Sequence, residues 1–522
     1  MMSTRVDEKV VQAALNETGF GKFNYKVLII VTLITISTGI SFENVSFVIP
    51  AATCDYEMST ITQNGIAISL LLGMALGSYF WACMAETKGR KISLIYGLLL
   101  DGCSNALASV ISNYYGFVIC KFFNGVGQSA QFAVIFTYLG EFQPDDYRDR
   151  MLSWIEFPYI LGTILNTGIS WIIIPLNFSY TSETTYFFFN PWNLYILICG
   201  LVAFVAAFCL TFLPETPKYL AETGQYTQLM HVLCQMYRQN TGKSDKKYRQ
   251  CLKTLNDPGI NDFLLKIKSS NETIENKSTF PKKFVKFIKQ VKEIMKPPYL
   301  NKTFIICVSM YGTSYSLSLI MIWIPEIFER FAMFEEKYPN MTASVCVVSE
   351  KLYSTNATLN NGFDSHACPY EIDHTVYLRT IMLCLAAIPA AVWLPLFIDR
   401  LGYKFYLISS NSIIGFLYIG LLFVKNSSQN LILSCFINAL GFGDYIIDCM
   451  LVDLYPTHLR VIASSLIAFV GYTGNLISIF MVGYLIDSQC ILLIIIISAH
   501  IGVATIFAIF IPTEKNKIKH MV

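Results

Sequence analysis

Charged side chains are scarce in this sequence. Asp, Glu, Lys and Arg make up 14% of its 522 residues, against roughly 25% in soluble globular domains. So few charges cannot cover the surface of a soluble protein of this length, and a net charge of +2 gives no reason to expect a nucleic-acid partner. The apolar fraction of 54% predicts instead an integral membrane protein that is surrounded by the lipid bilayer.

Motifs of catalysis and cofactor binding are missing as well. The sequence contains no Gly-x-x-x-x-Gly-Lys-Ser/Thr phosphate loop, no His-Glu-x-x-His and no Gly-x-Ser-x-Gly, which leaves ATP-driven pumping and hydrolysis without support. Its 15 cysteines include no Cys-x-x-Cys pair. We therefore predict that the protein is not an enzyme and that it holds no metal or other cofactor.

Apolar runs that are long enough to cross a bilayer, which takes about 20 residues, recur along the whole chain. Residues 1–24 lack the apolar core and cleavage site of a signal peptide, so the first run is expected to stay in the membrane. The third and fourth runs are separated only by Ser112-Asn113-Tyr114, and one long helix over both is the alternative. We predict twelve transmembrane helices, at residues 25–49, 61–84, 93–112, 115–139, 151–174, 192–213, 303–324, 375–397, 405–424, 430–452, 462–485 and 490–511.

The positions of Lys and Arg predict the orientation, because these residues accumulate in cytoplasmic loops. With the N-terminus in the cytoplasm, the outer segments hold only Arg330, Lys337, Lys351 and Lys425 of the 38 Lys and Arg residues. The predicted division is two cytoplasmic tails (1–24 and 512–522), two membrane halves (25–213 and 303–511), a cytoplasmic central loop (214–302) and an outer loop (325–374).

The predicted outer loop carries signals of the secretory pathway. Asn340-Met341-Thr342 and Asn356-Ala357-Thr358 match the acceptor pattern for glycosylation of Asn340 and Asn356. Cys346 and Cys368 lie in the same loop and are able to pair in an oxidising compartment.

Two motifs recur at the same place in each half, which is the most specific signal in the sequence. The loop after the second helix contains Glu86, Gly89, Arg90 and Lys91, and the loop after the eighth contains Asp399, Arg400, Gly402 and Lys404. The segments after the fourth and tenth helices share an acid, a proline and an arginine, namely Glu141, Pro144 and Arg148, and Asp453, Pro456 and Arg460. Because the offset between the copies is almost the same for both motifs, we predict a duplicated six-helix unit.

These loop residues have a physical interpretation as a gate. A carboxylate at a helix end is able to pair with an arginine from another loop, and the glycine permits the tight turn that brings them together. Such pairs would close the cytoplasmic side and release when the two halves rock. A static clamp without a gating role is the alternative.

The same residues resemble the signatures of the major facilitator superfamily, and Pro214-Glu215-Thr216-Pro217 resembles a motif of its sugar and organic-ion transporters. Within that group the chain is most similar to the synaptic vesicle glycoprotein 2 family, through Gly19-Phe20-Gly21-Lys22-Phe23, Gly77-Ser78-Tyr79-Phe80-Trp81 and Val452-Asp453-Leu454-Tyr455-Pro456. The resemblance implies an all-α membrane protein of the major facilitator fold, with twelve helices in two six-helix pseudo-repeats. It also implies a central cavity that is lined by helices 1, 4, 7 and 10.

Ionisable side chains inside apolar helices are costly and are therefore functional candidates. Asp444 and Asp448 are four residues apart, so they share one helix face, and we expect this pair to face the cavity and to bind a cationic group or a proton. A structural hydrogen bond to a neighbouring helix is the alternative. Glu43 is placed at the outer cavity mouth or at the interface, whereas Asp101 is expected to pair with a neighbouring helix. Further cavity liners, with inter-helix packing as the alternative, are Gln128, Gln131, Tyr311, Tyr315 and Asn438.

Together these features predict a carrier that moves a small organic solute by alternating access, either by facilitation or coupled to an ion such as a proton. We expect a monomer with both termini in the cytoplasm, in the plasma membrane or in a secretory or synaptic-type vesicle. The alternative is a membrane receptor or trafficking protein that has the transporter fold but little transport activity.

Overall fold

The computed structural model describes residues 8–53, 55–56, 58, 60–182, 187–255, 259–260, 263–264, 288–338, 341, 344–349, 374–486 and 488–512. The first part of the chain forms α1 (Glu8–Asn16), α2 (Lys22–Ala52), α3 (Thr60–Lys88), α4 (Arg90–Ala108), α5 (Tyr114–Gly140), α6 (Asp145–Ser153), α7 (Glu156–Ile173), β1 (Tyr180–Ser182), β2 (Phe187–Phe189), α8 (Pro191–Thr211), α9 (Pro217–Glu222), α10 (Tyr226–Thr241) and α11 (Asp245–Thr254). The second part forms α12 (Tyr299–Lys337), α13 (His374–Leu401), α14 (Tyr403–Gly420), α15 (Ser427–Leu440), α16 (Gly443–Leu454), α17 (Thr457–Leu485) and α18 (Cys490–Ile509).

The long helices match the predicted apolar stretches. Helix is present in each of the twelve stretches, and α4 and α5 are separate helices, as predicted. Within the described residues, eight helical segments are long and apolar enough to cross a membrane. Large apolar side chains, such as Ile29, Phe416 and Phe480, are exposed on the outward faces of these helices, which fits surroundings of lipid rather than water.

Two predicted single helices are interrupted. The tenth predicted stretch divides into α15 and α16 at Gly441 and Phe442, and the fifth divides into α6 and α7 at Trp154 and Ile155. Apolar composition continues across both points, so hydropathy alone does not reveal either break. The breaks matter because they place Asp444 in the first turn of α16 and Glu156 at the start of α7.

The segment predicted as a central cytoplasmic loop is largely helical where it is described. Helices α9, α10 and α11 pack with α1 beneath the N-terminal half, and their buried residues include Leu229, Leu233 and Leu252. The Tyr248 hydroxyl donates to the carbonyl of Ala14 at 2.6 Å. This helical cap covers the end of the bundle where residues 86–91 and 398–404 lie, which we call the basic end; the end that carries Trp171 and His374 is called the opposite end.

Close packing of α2 against α7 positions the functional site. A Cβ atom added to Gly39 would meet the carbonyl oxygen of Tyr159 at 2.6 Å, and one added to Gly162 would meet that of Ile36 at 2.5 Å. Only glycine permits such a close approach of two helix backbones. The contact brings Glu43 of α2 next to the face of α7 that carries Glu156 and Tyr159.

Candidate functional site

A small cavity lies between the two halves of the bundle. It has a volume of about 50 Å³ and is lined by α2, α7, α13 and the C-terminal end of α15. Its polar lining includes Glu43, Glu156, Thr380 and Asn438. Because α2 and α7 come from one half and α13 and α15 from the other, any relative movement of the halves changes its shape.

The two glutamates of the cavity have few partners. The Ser46 hydroxyl donates to Glu43 Oε2 at 3.5 Å. Glu156 is 9% exposed, and its Oε2 is buried without a hydrogen-bond partner in the described structure. A buried carboxylate without a counter-charge is strongly unfavourable unless it is protonated or meets a cation.

Asp444 and Asp448 lie beside this cavity on α16, although they are not part of its lining. The Ser314 hydroxyl of α12 donates to Asp444 Oδ2 at 2.8 Å, while Asp444 Oδ1 and Asp448 Oδ1 are buried without a hydrogen-bond partner. Asp444 interacts electrostatically with both Asp448 and Glu156. Among the described residues, none of these three carboxylates forms an ion pair, and neither does Glu43. Glu43, Glu156, Asp444 and Asp448 are called the acidic cluster below.

The structure places the other predicted cavity liners in different surroundings. Asn438 does line the cavity, and its Nδ2 donates to the carbonyl of Leu383 at 3.0 Å. Tyr315 is buried and stacks on His500 of α18, with ring centroids 3.9 Å apart, and Tyr311 packs beside this pair. These two tyrosines therefore face the interior of the C-terminal half, which corrects their predicted place at the cavity.

Gln128 and Gln131 belong to a buried polar network inside the N-terminal half, not to the cavity lining. Asp101 is the centre of this network. It accepts hydrogen bonds from Ser41 Oγ at 2.6 Å, Asn124 Nδ2 at 2.6 Å, Asn105 Nδ2 at 3.0 Å and Gln131 Nε2 at 2.9 Å. Gln128 Nε2 donates to the carbonyl and hydroxyl of Ser41. The expectation that Asp101 pairs with neighbouring helices agrees with this arrangement.

Lys121 extends the same network. Its Nζ donates to Asn44 Oδ1 at 2.8 Å and to Asn105 Oδ1 at 3.3 Å. Asn105 thus connects the lysine to Asp101, and all of these side chains are buried. A network that satisfies its own charges in this way fixes α2, α4 and α5 relative to one another. The sequence pointed to Asp101 and to its pairing, but it gave no signal that Lys121 belongs to the same network.

The predicted gate residues of the first half gather around one arginine at the basic end. Arg90 is fully buried, and its Nη2 lies 3.2 Å from Glu86 Oε1, 3.5 Å from Glu141 Oε1 and 3.8 Å from Glu222 Oε2. Glu215 accepts from the backbone amides of Arg90 at 3.1 Å and Lys91 at 3.2 Å. Burial raises the pKa of the Glu215 carboxyl above its usual 4.5, and burial together with the Glu215 charge raises the pKa of Tyr219 to about 12.

This arginine cluster lies within the N-terminal half and its helical cap. Arg148 likewise pairs with Asp145 at 2.8 Å and with Gln12 Oε1 at 2.6 Å. Hydrogen bonds between the halves at the basic end involve tyrosines: Tyr403 donates to the carbonyl of Asp149 at 3.0 Å, and Tyr445 donates to that of Ile155 at 3.2 Å.

The duplicated motifs have similar local geometry in the two halves. Gly89 and Gly402 both have positive φ angles, +111° and +76°, and both cap the following helix. Lys91 Nζ donates to the carbonyl of Thr211 at 2.8 Å, and Lys404 Nζ donates to that of Ile511 at 2.9 Å. Arg400 is exposed, and Arg460 donates to the carbonyl of Tyr455 at 3.3 Å. The side chains of Asp399 and Asp453 are outside the described structure.

Aromatic side chains close the opposite end across the two halves. The Tyr377 ring of α13 stacks on Phe47 of α2, with centroids 5.5 Å apart, and on Trp171 of α7, at 6.2 Å. Trp171 Nε1 donates to His374 Nδ1 at 2.9 Å. The sequence gives no signal of this closure, because single aromatic residues near helix ends are common in membrane proteins.

The prediction of a disulfide between Cys346 and Cys368 is wrong in its second cysteine. Cys346 is bonded to Cys490, the first residue of α18, rather than to Cys368. Val345 and Val348 belong to the same buried hydrophobic cluster as Ile486 and Leu493, so apolar packing holds the short helix around Cys346 near the start of α18. The sequence placed Cys490 in an apolar run and gave no reason to count it with the outer loop. Cys368, Asn340 and Asn356 lie outside the described residues.

Comparison with known proteins agrees with the motifs. The profile of the family described as the Major Facilitator Superfamily matches residues 31–345. The chain is 26% identical to synaptic vesicle glycoprotein 2B of Rattus norvegicus over 335 residues, which is 63% of this chain and 48% of that protein. It is 23% identical to synaptic vesicle glycoprotein 2C of Mus musculus over 372 residues, 68% of this chain and 50% of that protein. The chain thus spans about half the length of these relatives.

Solved structures show the same fold. The partially occluded inward open conformation of the xylose transporter XylE from E. coli superposes with a TM-score of 0.63 and 14% identity, over 94% of this chain and 100% of that chain. The proton:xylose symporter XylE bound to 6-bromo-6-deoxy-D-glucose gives a TM-score of 0.62 and 12% identity, over 94% of each chain. Both resemblances drawn from the sequence motifs are therefore confirmed.

Proposed function

This chain belongs to the Major Facilitator Superfamily, and from that premise we propose that it is a multi-pass transporter of a small organic solute that works by alternating access. In this proposal twelve helices cross the membrane as two six-helix halves, with both termini and the basic end in the cytoplasm, and the protein acts as a monomer. Contacts between the halves at both ends of the bundle support the mechanism, because alternate opening of the two ends requires contacts that can break separately.

The observation that carries the proposal is the acidic cluster. Four carboxylates from both halves surround or adjoin one small cavity, and no described cation neutralises them. Such a site attracts an organic cation, or it attracts a proton that is coupled to a neutral solute. Asp444 and Asp448, together with Glu43 and Glu156, bind this cation or proton, and Asn438 supplies a neutral polar contact to the solute.

The motif residues support gating indirectly, because their described contacts hold helices of one half together rather than bridging the two halves. Arg90 holds the basic ends of α3, α4 and α5 as one unit with α9. Tyr403 and Tyr445 join the next segment of the same half, α6 and the start of α7, to the C-terminal half. We infer that Glu86, Gly89, Arg90, Lys91, Glu141 and Arg148 give the N-terminal half its rigidity while the tyrosine contacts open and close. Asp399, Arg400, Gly402, Asp453 and Arg460 are proposed to do the same for the C-terminal half.

The experiment is uptake by full-length protein in proteoliposomes, screened over labelled organic cations, anions and sugars with and without a pH gradient. Saturable uptake of one class, which falls in Glu156→Gln, is the expected result. Glu335→Gln is the control, since Glu335 pairs with Arg379 at the opposite end and lies outside the cavity lining. Absence of flux for every class would favour the receptor or trafficking function instead.

A further inference from the structure

An apolar groove lies on the membrane-facing side of the bundle, between α13 and α15. It has a volume of about 670 Å³. Helix α13 contributes Met382 and Trp393, and α15 contributes Ile432 and Phe436. All four side chains are exposed and lie in the apolar segments His374–Ile398 and Ser427–Val452, so lipid chains rather than water surround the groove.

The groove and the acidic cavity share one wall. On α13, Ala386 lines the groove and the next residue, Ala387, lines the cavity. On α15, Ala439 lines the groove and Asn438 lines the cavity, where it donates to Leu383 across the wall. The wall is therefore one helix layer thick, and alanine methyl groups make up much of it.

One helix of this wall contains a proline close to it, and the other ends there. Pro389 lies inside α13 and has no amide hydrogen for the preceding turn, so one backbone hydrogen bond of the helix is absent there. Helix α15 ends at Leu440, and α16 begins only at Gly443. Helices bend most easily at prolines and at their ends, which lets the seam between α13 and α15 part without unwinding either one.

The negative charge of the carboxylates in the cavity determines which class of solute would pass through the wall between groove and cavity. Glu156 on the far side of the cavity is nine-tenths buried, with one oxygen that has no partner in the described structure. A solute that enters from the bilayer must carry enough apolar surface to dissolve there, and it must carry positive charge to be held by the carboxylates.

We propose that the seam between α13 and α15 is a lateral portal, through which an amphiphilic organic cation passes from the bilayer into the acidic cavity. The inference rests on the proposed transport function, because a portal has a role only if the cavity handles a solute. It narrows the substrate class to organic cations, of the aryl pyridinium or the aryl and alkyl ammonium type, that partition into membranes.

The test is uptake of the amphiphilic cation methylphenylpyridinium by full-length protein in proteoliposomes, with empty liposomes subtracted. Ala386→Trp fills the groove from α13, and Ala439→Trp fills it from α15. Gly502→Trp is the matched control, because a Cβ atom at Gly502 of α18 meets no atom within 4 Å, so its indole extends into lipid. Each groove variant should lower the initial uptake rate about fivefold or more, because an occupied groove cannot admit the ligand, while Gly502→Trp keeps the wild-type rate.

A second measurement on the wild type does not depend on the folding of a variant. A membrane-soluble diazirine, whose photogenerated carbene reacts with side chains in contact with lipid and needs no thiolate, labels Cys435 in the groove and the lipid-exposed Cys103 of α4, and peptide mass spectrometry follows both residues. The cation should slow the labelling of Cys435 and leave Cys103 unchanged. Equal labelling of Cys435 with and without the cation would overturn the portal.

The outcomes separate the portal from the transport function. If wild-type protein takes up no cation at all, the proposed function fails and the portal fails with it. If the wild type takes up the cation and both folded groove variants do so at the same rate, the portal is refuted and the transport function stands.

Discussion

Tyr445 of α16 donates its hydroxyl hydrogen to the backbone carbonyl of Ile155 at 3.2 Å, and this bond joins the C-terminal half to the residue that precedes Glu156. The Tyr445 ring also contacts Phe136 and Tyr159. The helix that carries Asp444 and Asp448 is thereby connected directly to the start of α7. In the proposed transport cycle, movement between the halves would break or remake this contact, so the bond offers a way to follow that movement.

Replacing Tyr445 with phenylalanine tests that connection. Tyr445→Phe keeps the ring contacts and removes one hydrogen bond, which is worth roughly 1 kcal/mol or about a fivefold change in an equilibrium constant. We expect a shift of that size toward conformations that are open at the basic end, measured as distance distributions between spin labels on the two halves. Tyr195→Phe is the control, because its lost bond to Asn166 Oδ1, 2.6 Å long, lies within the N-terminal half. Identical distributions for Tyr445→Phe and wild type would show that the bond has no part in closure.

Closure of the opposite end depends on the Tyr377 ring. Tyr377→Ala removes its stacking on Phe47 and Trp171, and aromatic pairs of this kind contribute about 0.5–1.5 kcal/mol each. Cys384 lines the cavity, so its alkylation by a membrane-impermeant thiol reagent should become several-fold faster. Phe188→Ala is the control, since the Phe188 ring packs on Tyr56 and Trp192 within the N-terminal half. An unchanged rate at Cys384 would place the closure elsewhere.

The two arginines of the first-half motifs should differ in their contribution to stability. Arg90→Gln leaves buried Glu86 and Glu141 without their counter-charge, and breaking a buried ion pair costs about 3–5 kcal/mol. Arg148→Gln removes a pair whose partner, Asp145, is 46% exposed, and surface pairs contribute about 0–1 kcal/mol. Circular dichroism of the detergent-solubilised protein during unfolding measures the loss of stability in each variant. Equal losses would mean that burial does not distinguish them.

The raised pKa of Glu215 predicts how stability depends on pH. Because burial raises this pKa above 4.5, the folded protein keeps the Glu215 proton at pH values where the unfolded chain has released it. Glu215 therefore stabilises the fold most at low pH, and this contribution is lost as the pH rises through the raised pKa. Glu215→Gln cannot ionise, so the unfolding midpoint of wild type minus that of the variant should fall as the pH increases. A difference that rises with pH would reverse the assigned direction.

Helix positions were predictable from the sequence because each long helix exposes apolar side chains to lipid along most of its length. Hydropathy does not detect a break where both sides remain apolar, which is why the interruption at Gly441 and Phe442 was missed. The consequence was local but important: the break places Asp444 in the first turn of a new helix, where the positive end of the helix dipole favours its charge.

The candidate site was predictable only in its charged members. Asp444, Asp448 and Glu43 stand out because ionisable residues are rare in apolar helices. Glu156 lies in the first turns of its predicted helix, and only the packing of α7 in the folded protein brings it to the cavity. Gln131 and Tyr315 are polar or aromatic in the same way as true cavity liners, and only the packing of neighbouring helices decides which way they face. The Cys346–Cys490 bond likewise depends on which helix end the outer segment packs against.

The most direct test of the acidic cluster is the pH dependence of solute uptake by wild type, Asp444→Asn and Asp448→Asn in proteoliposomes. Two carboxylates that interact titrate as a pair, so removal of one should shift the pH profile of uptake and lower its maximum. Glu335→Gln should retain the wild-type profile. If both aspartate variants transport with the wild-type rate and pH profile, the acidic cluster does not hold the transported or coupled charge, and the account of this site is contradicted.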